Sequence, residues 1–172
     1  DGVEMIIIGH FEEFDERGIN AFYKDGALYV SNIQTDNDDL LDDLVHETAH
    51  SVEEQYGMEI YADQEIKDEF LRKRLHLYNL LWNMNFQPSR EMFLDVEYDQ
   101  DFDEYLLQDV GYDKLSDILK GIMISPYAAT SLREYFATGF TEFYLYPDSH
   151  GYLQKISPEL YKKIVQLHKL GD

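Results

Sequence analysis

Cysteine is absent from this 172-residue chain, which excludes disulfides, a thiol nucleophile and any Cys-ligated metal site. Positive charge is scarce: 14 Lys and Arg stand against 35 Asp and Glu, a formal net charge of -21. Proteins that grip phosphate backbones or anionic lipid need a basic footprint, so neither nucleic acid nor a membrane is expected as a partner. A cationic peptide is the better match to such a surface. Long apolar runs are also missing, and the stretch over residues 5–8 is far too short for a membrane span or a secretory signal. No Gly/Ser linker, internal repeat or low-complexity tract divides the chain, so a single domain over residues 1–172 is expected. A chain opening on Asp1 instead of Met reads as an excised portion of something longer, and the absence of a leader carries no weight.

What is present suits a packed domain. Hydrophobic residues make up 44% and aromatics 15%, too much for disorder and enough for a core. Residues 3–8 are rich in β-branched side chains and read as a short buried strand. Residues 19–24 and 27–33 flank Asp25-Gly26, a strong hairpin signal. The acids at 36–39 suit a helix N-terminus, and that helix is expected to stop at Gly57. A second helix follows over about 63–82, then a break at Gln87-Pro88-Ser89 and two short helices near 105–110 and 114–120. Ser131 opens a helix to about Tyr146, and Ser157-Pro158-Glu159 opens the last one. Phe143, Tyr144 and Trp82 read as core. The expected class is α+β, a small N-terminal sheet with a hairpin edge strand followed by a mainly helical body.

His46-Glu47-Thr48-Ala49-His50 is the sharpest chemical signal. On a helix, positions four apart share a face, so both imidazoles can reach one metal ion, with Glu47 beside a water in the open position. The metal acidifies that water, and the Glu takes its proton and passes it to a leaving amine. On a helical wheel, Leu41, Leu44, Val45, Thr48, Val52 and Tyr56 form the core stripe, and His46 and His50 project off it. They stand beside Asp39, Asp43 and Glu53, where a solvated charged face is the alternative reading. A metzincin would need Gly and His where this chain has Glu53 and Tyr56, so that class is excluded. The third ligand is then a carboxylate from a later helix: Glu65, Glu69, Glu134 or Glu142. Ser131-x-x-Glu134 is also a capping-box pattern, in which the Glu would serve only a backbone N–H.

Ser125-Pro126-Tyr127 followed by residues 131–140 (Ser-Leu-Arg-Glu-Tyr-Phe-Ala-Thr-Gly-Phe) resembles the second motif of the anthrax lethal factor and Pro-Pro endopeptidase group. In that group a Tyr lies seven residues before a zinc-binding Glu, the spacing of Tyr127 and Glu134 here. The resemblance, which extends over roughly residues 36–170, implies a zincin-like metallopeptidase with zinc ligands His46, His50 and Glu134. It makes Glu47 the general base and Tyr127 a phenol that hydrogen-bonds the oxyanion. Members often carry a second Glu four residues after the ligand, where this chain has Thr138. Most members act outside the producing cell.

Zincin-type peptidases of this plan commonly present an edge strand above the metal; the arm at 27–32 reads either as that edge strand or as an ordinary internal one. Residues 97–104 alternate acids in a calcium-like way. An EF-hand loop from Asp99 would need Gly at Glu104 and Glu at Val110, so a solvated acidic loop is expected instead. His10, His76, His150 and His168 read as surface or locally bonded residues. The expectation is a monomeric zinc-dependent endopeptidase acting on a protein or peptide substrate, a basic one given the net charge. An inactive zincin-fold binding module and a non-peptide zinc hydrolase are the alternatives.

Overall fold

A computed structural model describes residues 2–33 and 36–171. They form an α+β domain with one three-stranded mixed sheet and a mostly helical body. The sheet contains β1 (Met5–Gly9), β2 (Ala21–Lys24) and β3 (Ala27–Ser31), with α1 (Glu12–Arg17) between the first two. Asp25 and Gly26 both take positive φ, 49° and 81°, as a tight two-residue hairpin turn demands. The turn sets the β2–β3 register, Lys24 opposite Ala27 and Ala21 opposite Val30. β1 runs parallel to β3 on its other side, giving the order β1-β3-β2.

This order corrects two expectations. β1 is an exposed edge strand, with Ile6 and Ile8 at 56% and 70% exposure, not a buried one. Its apolar run specifies a strand, but among the described residues it pairs with β3 alone and has little cover. The arm at 27–32 is the central strand, so the free edge of the hairpin belongs to β2.

The body starts with α2 (Asn37–Tyr61), capped by the Asp36 side chain, which accepts from the Asp38 N–H at 2.8 Å. α2 packs against β2 and β3 and also against α6 (Leu132–Leu145). It does not stop at Gly57. Gly57 lacks the positive φ of a terminating glycine, and the helix only kinks at Tyr56 (φ -115°, ψ 23°) before running on. The predicted stripe is partly displaced. Val45, Val52 and Tyr56 do pack on the core, but Leu41 is half exposed, and Ala49, His50, Ser51, Glu53 and Ile60 are the buried residues. A helix covered by a sheet and another helix buries more than one stripe.

The remaining elements are α3 (Glu65–Asn83), α4 (Gln100–Glu104), a π-helical segment Tyr105–Gly111, α5 (Tyr112–Leu119), α7 (His150–Ile156) and α8 (Pro158–Gly171), with short 3-10 turns at Tyr127–Ala129 and Pro147–Ser149. Neither α1 nor α7 is expected from the sequence. The acidic stretch is not all loop: Asp99 caps α4 through the Phe102 N–H, and Phe102 is buried. Phe102 lies over the guanidinium of Arg74, 4.1 Å from its centroid, and that buried arginine also donates to the Met92 and Asp95 carbonyls. Arg74 thereby ties the irregular segment after α3 to the core. Trp82 is half exposed and Tyr144 is 38% exposed, so neither is a core residue, while Phe143 is partly buried against the core. No helix among the described residues is long and apolar enough to cross a membrane.

Candidate metal centre

His46 and His50 sit four apart on α2, and their ring centroids are 5.1 Å apart. Ligand-type atoms of His46, Glu47 and His50 lie within 4.8 Å of one another. Glu134 comes from the first turn of α6. Its Oε2 is 2.9 Å from His46 Nε2, and its Oε1 is 3.5 Å from His50 Nε2. Two imidazoles from one helix and a carboxylate from another thus turn toward a common point.

The α6 N-terminus explains how Glu134 is aimed. Ser131 caps the helix by accepting from the Glu134 backbone N–H at 3.1 Å. The reciprocal half of a capping box is replaced: the Glu134 carboxylate meets the two histidines. The other acids weighed as third ligand are elsewhere. Glu65 bonds Lys162 at 2.7 Å on the surface. Glu69 is buried and accepts from Tyr135 and from the first N–H groups of α8. Glu142 lines a separate hollow with Tyr146 and Pro147.

Glu47 is held from the sheet side. Its Oε2 accepts the Tyr23 backbone N–H at 2.8 Å, so the hairpin edge on this side of the site is β2. A cavity of about 150 Å³ opens among these groups, and Phe22, Tyr127 and Arg133 also line it. The Tyr127 ring is 6.1 Å from the His46 ring, at 36% exposure.

Three further side chains, none assigned a role from the sequence, complete the cluster. Glu53 lies one turn after His50, and its Oε2 is 3.4 Å from His50 Nδ1. The same oxygen accepts from Arg133 Nε at 2.7 Å, and Oε1 accepts from the Tyr61 hydroxyl at 2.5 Å. The i, i+3 spacing from His50 and the adjacency of Arg133 to Glu134 were the available signals.

Electrostatics follow from this packing. Burial raises the Glu47 carboxyl above its ordinary range, and the two histidines only partly offset it. For Glu134, burial opposes ionisation, but the bonds from His46 and His50 outweigh it and bring its pKa to about 2. Burial likewise opposes a charged His50, yet Glu134 and Glu53 hold its pKa up, at about 9. Burial raises Tyr127 well above the usual phenol range, and the Glu134 charge adds to that. Two imidazole nitrogens and a carboxylate facing one point are satisfied by hydrogens on the nitrogens or by a metal ion between them. His46, Glu47 and His50 thus form a possible metal-binding group, with the Glu134 carboxylate facing both rings.

His10, His150 and His168 make local contacts, to Asp15, the Phe143 carbonyl and the Tyr144 hydroxyl. Compared with protein-family models, with curated proteins and with solved structures, the chain gives no significant match.

Proposed function

We propose that the chain is a zinc-dependent endopeptidase of the zincin type, holding the ion with His46, His50 and Glu134. The observation that carries this reading is the convergence of both histidine Nε2 atoms on one Glu134 carboxylate, at 2.9 and 3.5 Å. Zinc bound there would supply Lewis acidity toward a water and toward a scissile carbonyl. Glu47, fixed by the Tyr23 N–H, accepts the water's proton and delivers it to the departing amine nitrogen. Tyr127 keeps its phenolic proton, raised as its pKa is, and donates it in a hydrogen bond to the oxygen that gains charge. The excess of acidic residues favours a substrate segment carrying Lys or Arg.

The test pairs metal analysis with cleavage of a peptide library by the parent and by Glu47→Gln and Tyr127→Phe. The expected result is one zinc per chain in all three proteins. Cleavage should be lost in Glu47→Gln, and it should fall about 100-fold in Tyr127→Phe. Undiminished cleavage by Glu47→Gln removes the assigned base. Zinc bound without any peptide cut, in the parent, removes the peptidase reading.

A further inference from the structure

Glu53 takes part in more contacts around the site than its role as a helix residue requires. It lies one turn beyond His50 on α2 and is only 6% exposed. A buried carboxylate is costly unless its charge is compensated and its lone pairs are used. Here His50 Nδ1, Arg133 Nε and the Tyr61 hydroxyl all point at it. Arg133 directly precedes Glu134, so one carboxylate touches both helices that carry the converging groups.

The two imidazole nitrogens are not equivalent in this arrangement. Glu53 stands on the Nδ1 side of His50, and Glu134 stands on the Nε2 side, 3.5 Å away. A hydrogen on Nδ1 donated to Glu53 leaves the Nε2 lone pair free for a metal and fixes the rotation of the ring. The Arg133 charge balances Glu53, which lets it act as an acceptor for the ring without adding an uncompensated negative charge beside the site.

We propose that Glu53 is a positioning residue of the metal centre, setting the tautomer and orientation of His50, and that Arg133 and Tyr61 hold Glu53 in place. The inference rests on His46, His50 and Glu134 being the ligands. A simple bolt between α2 and α6 is the competing account, and it makes different predictions. A bolt sets the stability of the metal-free protein; a positioning residue sets the affinity of the folded protein for the ion.

The experiment measures zinc affinity by competition with a chromophoric chelator at fixed pH. Unfolding of the metal-free proteins in urea is measured alongside. Glu53→Ala should bind zinc 10–100-fold more weakly than the parent. Glu53→Gln keeps an oxygen for the Nδ1 hydrogen and should recover most of that affinity, though not the stability lost with the Arg133 ion pair. Arg133→Met should lose stability but less affinity than Glu53→Ala. The proposal is overturned if Glu53→Ala binds as tightly as the parent or if Glu53→Gln is as weak as Glu53→Ala. Should Glu53→Ala fail to fold, Glu53→Leu replaces it, and equal zinc affinity of Glu53→Leu and the parent overturns the proposal. A parent that binds no zinc, or a Glu134→Ala protein that binds it undiminished, defeats the ligand assignment itself, a separate outcome.

Discussion

His46 Nε2 and Glu134 Oε2 lie 2.9 Å apart although 88 residues separate them in the chain. The contact joins α2 to α6, and it exists because α6 begins where it does. Ser131 stops the preceding backbone and caps the helix, which puts Glu134 in the first turn, facing α2. The cap and the carboxylate therefore have separable roles, one local and one across the fold.

Replacing Ser131 with Ala should cost about 1 kcal/mol of stability, the usual worth of a cap, and leave metal binding intact. Replacing Glu134 with Ala should do the reverse and abolish stoichiometric zinc, since one of three ligands is lost. Urea unfolding of the metal-free proteins and metal analysis of the purified proteins check both halves. Equal zinc in the parent and Glu134→Ala would return Glu134 to a helix-end role.

The same logic governs a second helix start. Ser157-Pro158 marks the beginning of α8, but the acceptor for its Glu159 and Leu160 N–H groups is Glu69 of α3, at 2.9 and 3.2 Å. Glu69 also takes the Tyr135 hydroxyl at 2.8 Å. Glu69→Ala strands three donors, two of them buried, and should lose about 3 kcal/mol in urea unfolding. Glu65→Ala, on the same helix but in an exposed pair with Lys162, should change stability by less than about 1 kcal/mol. A small loss at Glu69 would mean that water reaches the α8 N-terminus.

How much of this could be read from the chain follows from the range of each interaction. His46 and His50 were legible because four residues on a helix fix their common face. Asp25-Gly26 was legible because the turn chemistry is local. The burial of β1 was not, because Met5–Gly9 looks alike in an edge or a central strand, and only the order β1-β3-β2 decides. Gly57 does not end α2 for a related reason: its φ does not turn positive, and Ile60 beyond it is buried in the core. Among the acids, composition could not separate Glu69, which caps α8, from Glu134, which meets the histidines. The motif resemblance at Tyr127 and Glu134 singled out Glu134; nothing comparable pointed to Glu53.

Two glycines of the helical body should respond to alanine in opposite directions. A Cβ on Gly139 would come within 2.3 Å of Leu160 Cδ2 and 3.0 Å of its Cγ, where α6 meets α8. Leu160 is fully buried and has nowhere to turn. Gly139→Ala should therefore destabilise by about 1–3 kcal/mol. A Cβ on Gly57 meets nothing within 4 Å, so Gly57→Ala should stabilise α2 by about 0.5–1 kcal/mol. Urea midpoints of the two variants test the pair, and a stabilised Gly139→Ala would show that α6 and α8 pack less closely.

Lys73 should make stability rise with pH over an unusual window. Its ammonium donates to the Ile122 and Ile156 carbonyls and to the Ser157 hydroxyl, and burial lowers its pKa to about 8. An unfolded lysine titrates near 10.4. Below about pH 8 the residue is charged in both states, and the full cost of burying that charge is present. Between about pH 8 and the unfolded value, the unfolded chain binds more proton than the folded one, so stability increases with pH. Lys73→Met removes the titration and should flatten this component. The measurement is the urea unfolding free energy of parent and variant at about pH 7.5 and about pH 9.5. The parent should gain on the variant across that interval, because only the parent sheds a buried charge. A difference that stays constant would mean that the three oxygen acceptors compensate the ammonium fully, and that the folded chain keeps its proton on Lys73 throughout.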